Sequence, residues 1–291
     1  MMGTALGGES IPVRRVSPAR QVLTLFGDYW WRVPEALPTG SILGALGDLG
    51  VKEAAARAAL GRLVDVDLLS AERDGRRTAH RLTDRGLAVV GDEAQWLDTF
   101  GVREQPWDGT WTVVAFSIPE SQRALRHSSR SRLRWLGFAP LYDGVWISAR
   151  DAAADALGQL SQLGVADVTA MRAQLERSGG ASPRSAWNLD EIQRQYAAFA
   201  TTLTDAETPG EPVNALALRS RLMLAWQAFR ETDPALPSEL LPSDWPRVPL
   251  RRRFAEVHAS LGPASVERFT QLVSAIEPRL ADRVTQRLLA A

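Results

Sequence analysis

The sequence predicts an α+β protein in three parts. These are an N-terminal winged helix-turn-helix over residues 17–100, a central ferredoxin-like domain over 108–177, and an all-helical C-terminal domain over 184–291. Three observations carry this reading. Residues 51–82 run as an amphipathic helix, a strand, a charged Asp74-Gly75 turn with arginines at its tip, and a return strand. Residues 111–171 follow the order strand, helix, hairpin, helix, strand, which is that of a small α/β layer. From Ala186 onward the apolar spacing is helical, with breaks at 209–212 and 233–249.

Each element has a local reason. Residues 1–16 read as a flexible arm. Ser17-Pro18 supplies an N-cap and first helical position, and Val22, Leu23, Leu25, Phe26 and Tyr29 face inward. Pro34 and Pro38 break the chain. Thr39 or Ser41 is placed to cap a second helix from Ile42 to Leu49, which Gly50 ends. The third helix has Ala56, Ala59, Leu60, Leu63 and Val64 on one face, and Lys52, Glu53, Arg57 and Arg62 on the other. Strands around Leu69 to Glu72 and Arg77 to Leu82 follow, and Thr83 caps a fourth helix to about Thr99. Residues 101–109 are polar and rich in breakers, as a linker would be.

In the central part, the β-rich run from Trp111 ends at Pro119 and reads as a buried strand. An arginine-rich helix runs from Glu120 to about Leu136, and Gly137 closes it. Residues 138–148 form a hairpin around Asp143-Gly144. A helix over 151–163 and a strand from Val165 to Met171 complete the layer, and 178–183 is a Gly/Ser/Pro linker.

Composition narrows the function. With 291 residues and 45% apolar content, the chain can bury several cores. It has no cysteine, which excludes disulfides, thiolate catalysis and cysteine-zinc sites and fits a reducing cytoplasm. No apolar run reaches the roughly 18 residues of a membrane span. The N-terminus lacks the apolar core of a secretion signal. Thirty-four basic residues balance 34 acidic ones, and Lys52 is the only lysine. His80, His127 and His258 have no metal-ligand spacing, and no phosphate loop, dinucleotide fingerprint or nucleophile elbow occurs. No catalytic residue, metal site or cofactor is expected.

The candidate DNA contacts are Lys52, Arg57 and Arg62 on the third helix and Arg73, Arg76 and Arg77 in the wing. An arginine fork donates two hydrogen bonds to guanine O6 and N7, or grips phosphate. Arginines in a turn beside such a helix meet backbone or minor groove. The plainer alternative is a solvated helix face, with Arg57 and Arg62 paired to Glu53 and Asp65.

Seven segments together resemble the PaaX family of bacterial transcriptional repressors. They are Leu23 to Trp30, Arg57 to Leu63, Gly75 to Arg77 with Arg81 to Thr83, Trp107 to Trp111, Leu133 to Phe138, Gly144 to Ser148, and Asp233 to Pro237 with Leu240 to Pro246. Their order and spacing span essentially the whole chain. One departure stands out. Asp65-Val66-Asp67 follows the recognition helix where such proteins usually carry a basic or neutral residue and a glycine. The two carboxylates are expected at the distal end of the helix.

The resemblance implies a homodimeric repressor of double-stranded operator DNA, with a central domain resembling the Cas2 fold. It also implies release by an aryl-CoA thioester such as phenylacetyl-CoA. Residues of suitable chemistry are present. Arg123, Arg126, Arg130 and Arg134 share one broad helix face that could hold phosphates. Trp107, Trp111, Trp135 and Trp146 could line an apolar pocket. The alternative is a metal-dependent nuclease or RNA-processing enzyme built on the central domain, for which only Asp108, just before the first central strand, offers a carboxylate.

Overall fold

The computed structural model describes residues 16–75, 77–103, 106–176, 182–207 and 214–289, and shows a mixed α+β protein with two small antiparallel sheets. Residues 1–15 of the expected arm, Arg76 and residues 178–181 of the expected linker lie outside the described residues. The chain divides into two compact units. One comprises the residues up to Val90 together with Thr270–Thr285; the other comprises Gly91–Phe269 and the tail from Gln286. Residues 270–285 thus pack with the N-terminal unit.

The first unit opens with α1 (Pro18–Tyr29). The Ser17 side chain accepts from the Arg20 amide, and Val22, Leu25, Phe26 and Tyr29 are buried. A two-residue strand, β1 (Leu37–Pro38), leads into α2 (Thr39–Asp48). Neither expected hydroxyl caps α2. Thr39 donates to the Thr78 carbonyl at 2.7 Å and Ser41 to the Leu272 carbonyl at 3.1 Å, so both serve tertiary contacts. The helix closes on Gly50, whose φ of 84° is left-handed. The Gly50 amide donates to Gly47 and the Val51 amide to Leu46, a Schellman motif.

Helix α3 (Glu53–Asp65) buries Ala56, Ala59, Leu60 and Leu63. Asp65 is its last residue, and Asp67 sits just beyond at a left-handed φ of 56°. The carboxylates are thus at the distal end. The hairpin of β2 (Leu69–Asp74) and β3 (Arg77–Leu82) pairs Asp74 with Arg77 across the turn, and β1 lies on the other side of β3. Pro38 on the edge strand needs no ladder donor. Thr83 accepts from the Gly86 amide at the start of α4 (Asp84–Thr99).

In the second unit β4 (Trp111–Phe116), α5 (Arg123–Trp135), β5 (Ala139–Tyr142), β6 (Val145–Ser148), α6 (Ala153–Gln162) and β7 (Val168–Ala173) form a sheet of order β5-β6-β4-β7. With every pair antiparallel, this is the ferredoxin-like arrangement. The last strand starts at Val168 rather than Val165. The Val165 amide closes α6 by donating to Leu160, so it is committed to the helix cap.

One sheet face packs on α5 and α6 through Val114, Leu133, Trp146 and Leu160. The other packs on helices α7 (Leu189–Glu207), α8 (Ala215–Gln227), α9 (Phe229–Thr232) and α10 (Arg247–Ser260) through Trp111, Val113, Ile147, Tyr196, Trp226 and Phe254. Helix α11 (Gly262–Ser274) carries the chain back to the first unit. No helix among the described residues is long and apolar enough to cross a membrane.

Candidate nucleic-acid interface and ligand cleft

Two places stand out, one in each unit: the first concentrates charge, the second charge and aromatic rings. In the first unit the buried stripe of α3 fixes which side chains look outward. Lys52, Arg57 and Arg62 are exposed, opposite Ala56, Ala59 and Leu63. The Arg57 side chain is 60% exposed and meets Glu53, one turn earlier, at 2.8 Å. The local pair of the plainer reading therefore exists, yet in solvent it is weak and leaves guanidinium donors facing out.

Arg73 and Arg77 stand on β2 and β3 at the hairpin end, and both are exposed. They share with Arg57 the wall of a groove of about 820 Å³. Part of its lining was not anticipated from the sequence. The segment after α11 brings Glu277, Arg279 and Arg283 into the lining. Arg77 donates to the Ile276 carbonyl at 3.3 Å and lies 3.7 Å from the Glu277 carboxylate. About 200 residues separate these partners, so no local pattern announces the contact.

The hairpin also holds His80, 5% exposed, with its Nδ1 3.1 Å from the Thr39 hydroxyl. Burial holds this imidazole below the usual histidine range. His258 is buried beside Arg219, and His127 is exposed on α5. These three stay apart in structural or surface roles.

In the second unit, the tryptophans expected to share a pocket are separated by the register of the sheet. Val114 on β4 pairs with Trp146 on β6, so Trp146 lies on the α5/α6 face, and Trp111, three positions before Val114, lies on the opposite one. Trp111 packs edge-on to Trp107 at 5.3 Å and stacks with Trp187 at 5.9 Å.

The arginines of α5 separate too. Arg126 donates to the Ile118 carbonyl and Arg130 to Asp143, both at 2.8 Å, while Arg123 is exposed. Arg134 and Trp135, by contrast, line a cleft of about 590 Å³ between the sheet domain and the helices.

That cleft adds Trp96, Trp187, Arg150 and Arg230, none of which stood out in the sequence as ligand contacts. Arg230 is held by Asp92 at 2.6 Å and Glu93 at 2.8 Å, and lies 5.8 Å from the ring centroids of both Trp96 and Trp135. Arg134 lies 5.5 Å from the Trp146 ring, and its side chain is exposed. The cleft's floor includes Asp233, which accepts from the Tyr196 hydroxyl at 2.5 Å and the Ala235 amide at 2.7 Å.

Asp108 accepts from the Thr110 amide and hydroxyl and meets Arg172 at 2.5 Å. The Thr110 hydrogen bonds, with Arg172 beside them, hold its carboxyl below the usual range. Its oxygens are thus engaged in closing a turn. Among the described residues no group of three or more histidine, aspartate or glutamate side chains could hold a metal ion.

Three family profiles match the chain in succession. They are PaaX-like protein over residues 18–86, PaaX protein central Cas2-like domain over 104–186, and PaaX-like protein C-terminal domain over 187–271. The chain is 27% identical over 265 residues to the transcriptional repressor PaaX of Escherichia coli (strain K12), covering 86% of this chain and 82% of that protein. It is also similar in fold to an uncharacterized protein of Mycobacterium tuberculosis. There the TM-score is 0.57 and the identity 23%, over 87% of this chain and 98% of the other.

Proposed function

Since the chain belongs to the PaaX family of transcriptional repressors, we propose that it is a homodimeric, cytoplasmic, non-enzymatic repressor that reads double-stranded operator DNA with a winged helix-turn-helix and lets go when an acyl-CoA binds. The observation that carries the DNA reading is the outward face of α3 and its hairpin, where Lys52, Arg57, Arg62, Arg73 and Arg77 are all exposed. Helix α3 is the recognition helix, with Arg57 near its N-terminal end and able to reach base edges. The hairpin arginines Arg73 and Arg77, together with Arg76 as the sequence suggests, hold flanking phosphates. A dimer would place two such units on a two-fold operator.

Release requires an effector that binds the DNA-incompetent state more tightly than the competent one. The cleft of Arg134, Trp135, Arg150 and Trp187 suits a phosphate-bearing aryl thioester such as phenylacetyl-CoA. Arg134 and Arg150 have no carboxylate partner among the described residues, and the indole rings offer an aromatic wall.

The test starts with selection of duplexes from a random pool, followed by fluorescence-anisotropy titration of the selected sequence. A sequence-specific complex that phenylacetyl-CoA weakens, and phenylacetic acid does not, is the expected result. Arg134→Ala with Arg150→Ala should blunt the response to thioester and leave operator affinity alone. Failure to enrich any duplex would contradict the repressor reading. A complex indifferent to all acyl-CoAs would contradict the effector only.

A further inference from the structure

We propose that the C-terminal segment after α11 is part of the nucleic-acid face, and that Arg279 and Arg283 bind duplex phosphates alongside Arg57, Arg73 and Arg77. This rests on the DNA-binding reading above. The five arginines line one groove within one compact unit, against the three glutamates Glu35, Glu72 and Glu277. The guanidiniums look outward. The Arg279 side chain is 79% exposed and that of Arg283 58%.

Apart from the Arg283–Glu35 pair, the segment is fixed to the unit by contacts that do not involve these two side chains. Ser41 donates to the Leu272 carbonyl, Val273 is fully buried, and the Thr285 amide donates to the Tyr29 carbonyl at 3.0 Å. Two glycines one turn apart on α2 make room for it. A Cβ on Gly40 would lie 2.4 Å from Ile276 Cδ1, and one on Gly44 would lie 2.8 Å from Leu272 Cδ2. The spacing of Gly40 and Gly44 thus builds a seat for the returning chain.

Glu277, 24% exposed, sits between Arg77 at 3.7 Å and Arg279 at 3.1 Å, and Glu35 holds Arg283 at 3.1 Å. Each carboxylate positions arginines without covering them, and the Glu277 triplet keeps a net positive charge. A concave wall of exposed arginines continuous with a recognition helix and wing fits the polyanionic backbone beside the base-reading site. Such contacts add affinity and salt dependence without sequence preference.

The experiment compares the parent, Arg57→Ala, and the double variant Arg279→Ala/Arg283→Ala on operator and on random duplex from 50 to 200 mM salt. Each phosphate contact contributes roughly 0.9 to the slope of log affinity against log salt. The double variant should therefore lower the slope by about 2 and weaken both duplexes by the same factor. Arg279→Lys/Arg283→Lys should restore most of it. An unchanged slope in the alanine double variant, with Arg57→Ala still impaired, would overturn the proposal and leave the DNA reading intact. If the parent binds no duplex, the DNA reading itself fails.

Should the double variant not fold, phenylglyoxal modification of the unaltered protein decides. Bound duplex should protect Arg279 and Arg283, and equal modification with and without DNA would refute their contact.

Discussion

Asp233→Ala should cost the second unit more than any substitution on the proposed DNA face. The Asp233 side chain is 2% exposed and its partner Arg247 5%, with 3.4 Å between them. The same carboxylate accepts from the Tyr196 hydroxyl at 2.5 Å and the Ala235 amide at 2.7 Å. The last bond holds Ala235 at a left-handed φ of 53°, which a non-glycine residue adopts only when held there.

Removing one member of a buried pair leaves the other charged and desolvated, at a cost of about 3–5 kcal/mol. The long separation from Arg247 argues for the lower half of that range. Losing the Tyr196 bond to a charged acceptor would contribute about 1.5–3 kcal/mol if it stood alone, but the two effects share one carboxylate and do not add. We therefore expect about 3–4 kcal/mol from Asp233→Ala, and less from Asp233→Asn, which keeps one of the two accepting oxygens and can turn it to the Ala235 amide. Urea unfolding followed by tryptophan fluorescence measures this, because Trp226 and Trp245 pack around Tyr196. An Asp233→Ala midpoint equal to that of the parent would refute the reasoning.

Three further outcomes are expected. His80 has a folded-state pKa below its ordinary 6.5, so the unfolded chain binds its proton more readily. Its contribution to stability is complete above about pH 6.5 and is lost as pH falls from there toward the folded-state value. Melting curves from pH 7.5 to 5.5 should show the loss, and His80→Asn should flatten it. Gly86→Ala should destabilise the first unit by about 1–3 kcal/mol or more, because the new methyl would lie 2.1 Å from the Leu68 carbonyl oxygen. Thermal unfolding checks this, and an unchanged melting temperature would contradict the packing. Light scattering at micromolar concentration should give about twice the 31.9 kDa chain mass, and a monomer both free and on DNA would contradict the homodimer.

What could be read in the sequence was what local chemistry decides. Ser17 and Thr83 cap the helices they precede, Gly50 stops α2, and apolar periodicity picks out the buried side of α3. The order of strands and helices in the central part was legible for the same reason. Long-range pairing was not. Thr39 and Ser41 look like caps until their distant carbonyl partners are known. Trp111 and Trp146 look like one pocket until the register of β4 against β6 puts them on opposite faces. Arg279 and Arg283 lie far along the chain from α3 and its hairpin, and only the docking of Leu272 and Ile276 against α2 brings them beside Arg77. The cleft residues Trp96, Arg150, Trp187 and Arg230 come from different elements and share no motif.

The measurement that tests the central claim most directly is operator affinity of Arg57→Ala against the parent, with melting temperature recorded alongside. The exposed pair with Glu53 is worth only about 0.3–0.5 kcal/mol to folding, so stability should hardly move. If Arg57 donates both arms of its fork to guanine, operator affinity should fall by about 1–3 kcal/mol, roughly 5- to 150-fold, while random duplex is affected much less. Equal operator affinity for the two proteins would contradict the assignment of α3 as the helix that reads DNA.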